Sequence, residues 1–251
     1  MISKSLLKLI HSLEIKKYRR DTGLFVAEGG KCVGDIINSS IACEKIIATD
    51  KWLSENSLKT SAEIIAVSDE DLQKASFLRA PQGVIGLFKQ PEHTIDPSVA
   101  ESELCLALDE VQDPGNLGTI IRIADWFGIE NIFCSQNTAD IYNPKTVQST
   151  MGAIGRVKVH YVDLAAFLSQ LKGKTPIYGT FLDGENIYDK KLSSNGIIIM
   201  GNEGNGIGEK CAQCINERLF IPNFPIGRPT SESLNVSTAT AIVCAEFRRR
   251  K

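Results

Sequence analysis

Residues 197–208 read IIIMGNEGNGIG, an apolar run that breaks into a loop with glycines at 201, 204, 206 and 208. A β-branched run of this kind is strand material, and glycines directly after it let the backbone turn sharply or close on a ligand. Two familiar phosphate-binding loops are excluded. A P-loop needs G-x-x-x-x-G-K-[ST], and no Lys-Ser/Thr pair follows. A dinucleotide fingerprint needs G-x-G-x-x-G at an early strand–helix turn, whereas this loop has other spacing and lies in the last quarter of the chain. What remains is a strand end that sets Glu203 in a glycine-rich turn, there either to shape the turn or to bond a ligand.

Two other stretches are equally dense in polar groups. LDEVQDPGNLGTIIRIADWFG (108–128) reads as a strand ending at Asp109, a Pro114-Gly115 turn and a helix. Asn116 is the expected N-cap of that helix, with Ile120, Ile121, Ala124 and Trp126-Phe127 on its buried side. Arg122 lies about one and a half turns along it, and a guanidinium near strand carboxyl ends is suited to grip phosphate. In PIGRPTSESLNVSTATAIV (225–243), Ser231, Glu232, Ser233 and Asn235 crowd the start of a small, apolar helix expected from about Ser233. One N-cap accounts for one of them; the surplus of hydroxyls and amides suits a polar or anionic ligand.

Outward from these stretches, helical and strand periods alternate along the whole chain. An amphipathic helix over 2–13 precedes LFVAEG, KCVGDIIN, EKIIAT, EIIAVS, SDEDLQKA and GVIGLFK, a compact α/β unit expected to span residues 1–90. Residues 91–102 hold two prolines and little periodic apolar content, and read as a linker. A second series over 103–251 runs through LCLALDEV, NIFCS, KVHYV, PIYGTFL, IIIMG and RLFIP, near-continuous apolar strands that predict a parallel sheet covered on both faces.

Composition narrows the class. The 251 residues are 43% hydrophobic and 23% charged with a net charge of −2, the profile of a globular protein with a sizeable core. No apolar stretch approaches the roughly 20 residues that span a bilayer, and no secretory signal precedes the first unit, so the expected location is the cytoplasm. Seven scattered cysteines argue against a disulfide framework, and the lone CxxC of Cys211 and Cys214 lacks the second pair a zinc site needs; no metal is expected. Basic residues gather at the ends: Lys16, Lys17, Arg19 and Arg20 near the start, RRRK at the finish. Such clusters on an otherwise acidic body suit phosphate binding.

N-x5-R after a strand, then G-x-E-x-x-G, then S-L-N-V-S resembles the SpoU/TrmH class of SPOUT RNA 2′-O-ribose methyltransferases. The matching pieces here are NLGTIIRIAD (116–125), IIIMGNEGNG (197–206) and IPNFPIGRPTSESLNVSTATA (221–241), and KKYRRDTGLFVAEGGK with RAPQGVIGLF is similar to the family's L30e-like substrate-binding domain. The resemblance implies an α/β protein: a small L30e-like domain, then a SPOUT domain with a parallel sheet and a C-terminal trefoil knot. It implies S-adenosylmethionine held by Gly201, Asn202, Glu203, Gly204, Ile221 and Leu234, and a polar catalytic shell of Arg122, Asn116, Glu203, Ser233 and Asn235. It implies a homodimer whose site borrows from the second subunit, and an RNA substrate, ribosomal (23S) in preference to tRNA. Lys16, Lys17, Arg19 and Arg20 would then contact RNA phosphates, giving salt-sensitive affinity. Asn223 stands where the family often has Met, in a longer approach to the third motif. Two other classes stay open: an inactive RNA-binding assembly factor of the same fold, and a nucleotide-dependent oxidoreductase built on the glycine loop.

Overall fold

The structure is a computed structural model that describes residues 2–225, 228–229, 231 and 233–249. Glu232, part of the loop at 223–230 and the last two residues of RRRK therefore lie outside the described residues. In chain order the elements are α1 (Lys4–Ser12), α2 (Lys16–Thr22), β1 (Leu24–Glu28), α3 (Gly30–Ile37), β2 (Cys43–Thr49), α4 (Asp50–Glu55), β3 (Glu63–Val67), α5 (Asp69–Ala75) and β4 (Val84–Lys89). There follow α6 (Val99–Ser102), β5 (Leu104–Leu108), α7 (Pro114–Trp126), β6 (Asn131–Ser135), α8 (Pro144–Thr150), β7 (Lys158–Val162) and α9 (Leu164–Leu171). The chain ends with β8 (Ile177–Asn186), β9 (Gly196–Met200), α10 (Glu209–Ala212), β10 (Glu217–Phe220) and α11 (Val236–Arg249). No helix among the described residues is long and apolar enough to cross a membrane.

The chain forms two compact units, and the first takes in Met1–Glu92 together with Asp140–Arg156. Its sheet has the order β1-β4-β2-β3, with β4 antiparallel to both neighbours and β2 parallel to β3. The apolar faces of α1 and α5 close one side, where Ile10, Leu13, Ile47, Ile85 and Leu87 are fully buried. The returning segment Asp140–Arg156 is part of this core: Tyr142 packs its ring 5.0 Å from that of Phe25 on β1.

Asp140 also explains an unexpected placement. Of the four basic residues at 16–20, Lys16, Lys17 and Arg20 are exposed on α2, but Arg19 is buried. Its guanidinium donates to the carbonyls of Leu13 and Glu14 at 2.7 Å each and pairs with Asp140 at 2.7 Å. Arg19 is therefore not a surface phosphate ligand: its planar fork binds α2 to the turn before it and to the returning segment.

The second unit comprises His93–Ala139 and Val157–Lys251. Its six strands are all parallel in the order β10-β8-β9-β5-β6-β7. The central strands β5 and β9 are buried at every position, which is why both read as unbroken apolar runs rather than alternating ones. On one face Phe133, Phe167, Leu168 and Ile199 form a core under α9. Two sequence-based boundaries shift. Asp113, not Asn116, is the N-cap of α7, and Trp126 is not on its buried side but 83% exposed.

Arg19→Ala leaves Asp140 without its partner and two carbonyls without donors, a loss expected to cost about 3–5 kcal/mol. Urea unfolding should show that cost, and Lys16→Ala, on the exposed face of the same helix, should change stability by less than about 0.5 kcal/mol.

Candidate active site

β5 and β9 are adjacent and parallel, so the loops that follow them emerge side by side at their carboxyl ends, where open α/β sheets bind ligands. After β5, the side chain of Asp113 accepts from the amide of Asn116 at 2.9 Å and Pro114 occupies the first helical position, a strong helix start. Asn116 thus sits in the first turn of α7 with its carboxamide directed outward.

The loop after β9 is tied down before it reaches its tip. The backbone of Asn202 exchanges two hydrogen bonds with that of Gly206, at 2.9 and 3.0 Å. The Asn202 side chain donates to the carbonyl of Glu110 at 2.8 Å and accepts from the amides of Gly204 and Asn205 at 2.8 and 3.0 Å. Gly208 donates to Asp109 at 2.8 Å, so both ends of the loop are fastened to the end of β5. Gly201 is required by this closure: a Cβ there would lie 2.3 Å from the carbonyl carbon of Gly206. Burial, and next the neighbouring Asp109, push the Cys211 thiol up to about 12, so it stays protonated.

Glu203 stands at the exposed tip and meets Asn116. Asn116 Nδ2 donates to Glu203 Oε1 at 2.8 Å, and Asn116 Oδ1 accepts from Asn235 Nδ2 at 3.1 Å. Asn235 Oδ1 accepts from the amides of Ser237 and Thr238, at 3.0 and 3.3 Å, and from the Ser237 hydroxyl at 2.6 Å. Asn235 is therefore the cap of α11, two residues later than the expected start. The network runs in one direction only. The helix amides require the oxygen of Asn235, so its NH2 faces Asn116; Asn116 must answer with its oxygen and offer its own NH2 to the carboxylate. Residues from all three motifs are joined through one carboxamide.

Beyond the cap, Ser233 and Leu234 share a cavity of about 360 Å³ with Leu182, Phe220, Ile221 and Pro222. Its size is that of a small-ligand site, with apolar walls and a serine hydroxyl at the edge. Of the expected cofactor residues, Ile221 and Leu234 line this cavity. Gly201 and Gly204 do not, and Asn202 borders a separate cleft of about 720 Å³ beside Asp109, Glu110 and Asp163. Arg122 is exposed and, among the described residues, makes no hydrogen bond; six residues along a helix of 3.6 per turn set it on another face from Asn116. Sequence reasoning missed Leu182, whose strand carries no motif, and Asp113, for which the Asp-Pro pair at a helix start was the available signal.

Helices α7 and α11 lie beside each other, tied at one end by Asn116 and Asn235 and at the other by Arg248. Its guanidinium donates to the carbonyls of Phe127 and Gly128 at 2.7 and 2.9 Å, satisfying the last turn of α7.

Residues 103–245 match the SpoU rRNA Methylase family, and residues 4–86 match the MRM3-like substrate binding domain. The chain belongs to the SpoU rRNA methylase family. It is 30% identical over 238 residues to the 23S rRNA (guanosine(2553)-2'-O)-methyltransferase RlmP of Bacillus subtilis (strain 168), across 94% of this chain and 93% of that protein. Among solved structures it resembles a TrmH-family protein from Porphyromonas gingivalis, 38% identical with a TM-score of 0.87 over the whole of both chains. It also resembles the AdoMet-bound rRNA methyltransferase from Sinorhizobium meliloti, 28% identical with a TM-score of 0.86 over 100% of this chain and 96% of that one. In this SpoU-family chain the first and last motifs meet across 119 residues.

Asn116→Asp places a second carboxylate against Glu203 in place of an N–H donor. The variant should be less stable than the parent by about 1–3 kcal/mol at pH 8, where both carboxyls are charged. The deficit should shrink as pH falls to about 4, where the two share a proton. Unfolding curves at the two pH values measure it.

Proposed function

We propose that this protein is an S-adenosylmethionine-dependent methyltransferase acting on a ribose 2′-hydroxyl of 23S ribosomal RNA, working as a homodimer. The observation that carries the reading is the Asn116 carboxamide, which joins residues of all three motifs beside a cavity of small-ligand size. Residues 1–90 serve as the substrate-binding domain and 103–251 as the catalytic one, its C-terminal segment threaded as a trefoil knot. Support for a ribosomal substrate comes from the Bacillus relative, which is matched along nearly its whole length.

The residues present fit the cofactor. Ile221, Leu234 and the neighbouring Phe220 offer apolar walls to a flat heterocycle, and Ser233 offers a hydroxyl at the rim. When bound, S-adenosylmethionine supplies an electrophilic methyl group on a sulfonium.

The remaining work falls to the protein. Displacement at a methyl carbon needs the ribose oxygen held in line, and alignment of that kind contributes about 7–11 kcal/mol. As the carbon–oxygen bond forms and the carbon–sulfur bond breaks, the hydroxyl must shed its proton, which passes to solvent at this exposed site. Arg122 cannot be a base, because its guanidinium remains protonated in proteins; it holds the adjacent phosphate and stabilises negative charge building on the oxygen. Its exposure, and the lack of a side-chain partner among the described residues, favour service across the dimer, in the second protomer's site. Glu203 orients Asn116, and Asn235 holds it from the other side. Lys16, Lys17 and Arg20 contact RNA phosphates, with Arg19 excluded by its burial.

Arg122→Ala should lower transfer of tritiated methyl to 23S rRNA by about 100-fold or more while RNA affinity moves by less than about tenfold. Unchanged transfer would overturn the assignment. Glu203→Gln should keep most of the rate, because a rotated amide still presents an oxygen to Asn116, whereas Glu203→Ala should lose it. A Gln variant as slow as the Ala one would instead make the carboxylate itself the proton acceptor.

A further inference from the structure

The first unit contains a cavity that the transfer reaction does not use. It measures about 390 Å³ and is bounded by Val26 and Glu28 of β1, Phe77 and Leu78 after α5, and Asn143 and Gln148 around α8. Its apolar lining is Val26, Phe77, Leu78 and Pro144, and the rest of its lining is polar or charged. The unusual member is Glu28, only 5% exposed at the end of its strand. One carboxylate oxygen accepts from the backbone amide of Phe77 at 2.8 Å, the other from the Ser76 hydroxyl. Both donors are neutral. The nearby buried guanidinium is committed to Asp140 and to two carbonyls.

A carboxylate buried with only neutral partners is costly, and the turn at Ser76–Phe77 could be held as well by a neutral amide. Ionised, it has about four lone-pair positions, of which two are taken here. Burial, the largest influence on it, raises the pKa of Glu28 from its ordinary value, against the lowering by its bonds to Ser76 and Phe77. A ligand that enters the cavity can supply further donors to it.

The chemistry of the walls narrows that visitor. Glu14 and Lys145 line the cavity as well, so a single ammonium stands beside two acidic residues and the site is not a cluster of cations for a phosphate. Apolar faces that include a phenyl ring suit a flat heterocycle, and RNA is commonly read by splayed-out bases stacked on aromatics and bonded along their edges. Among the bases, guanine alone presents two adjacent donors, N1–H and the N2 amine, which match the two oxygens of one carboxylate. Adenine and cytosine set an acceptor beside their amine, and uracil has one donor between two acceptors. The half-buried carboxamide of Gln148 on the opposite wall is available to donate to guanine O6.

We propose that this cavity receives a guanine base of the RNA substrate, with its Watson–Crick edge turned to the Glu28 carboxylate. The proposal rests on the RNA-methyltransferase reading for the identity of the ligand, but it is tested without methyl transfer. Binding of GMP, IMP and AMP to the full-length protein is followed by saturation-transfer NMR, with S-adenosylhomocysteine present to fill the cofactor site. GMP should bind about tenfold more tightly than AMP, with IMP, which lacks the N2 amine, between them. Glu28→Gln should erase the preference. Should that variant fail to fold, Gln148→Trp fills the cavity from α8, leaves the bonds of Glu28 in place, and should abolish GMP binding. Equal binding of the three nucleotides, GMP binding that survives Gln148→Trp, or no GMP binding at millimolar concentration would each overturn the proposal. Methyl transfer to 23S rRNA measured on the same preparation separates the two readings. Transfer without GMP binding removes the guanine site alone; GMP binding without transfer removes the transferase reading alone.

Discussion

The carboxamide of Asn116 can take only one orientation, and much of the second unit depends on it. Its oxygen must face Asn235, whose own oxygen is occupied by the first amides of α11. Its amine must face Glu203, which can only accept. Flip it and both bonds become repulsive contacts. The site is therefore built by a fixed direction of donors rather than by burial, since all of its members are at least partly exposed. Rigidity comes from the elements behind it: a central strand pair, a helix started by Asp113, and a loop fastened by Asn202 and Gly208.

The first unit uses its charges differently. Arg19 looks in sequence like one more basic surface residue, yet it joins α2 to a segment more than a hundred residues away. Its neighbours Lys16, Lys17 and Arg20 stay exposed. Glu28 is the complementary case, a charge placed inside a strand end with neutral companions. Both are buried, and what separates them is their partners: a carboxylate for Arg19, only neutral donors for Glu28.

Legibility followed the range of the forces involved. Strands β1 to β10 could be read because apolar runs and turn residues are local signals, and the three motifs could be read because their spacing is local as well. The expected cap of α7, Asn116, lies three residues past the true one, because Asp113 takes that position through its Asp-Pro step. Trp126 was assigned to a buried face by hydrophobicity, whereas the helix turns it outward at its last residue. The burial of Arg19 and the return of Asp140–Arg156 to the first unit had no local signature at all. Both depend on partners distant in sequence, and no window over the chain contains them together.

The bond between Asn116 and Asn235 has a consequence for synthesis. A ribosome delivers α7 and the sheet long before it delivers residue 235, so the nascent chain can assemble β5 and the first part of the site but cannot complete it. Only when α11 has emerged and docked, with Arg248 closing the far end of α7, is the carboxamide oriented. A chain cut before that point keeps β5 and α7 but lacks the residue that orients the carboxamide, so the direction of donors in the site is set by the element made after all the strands.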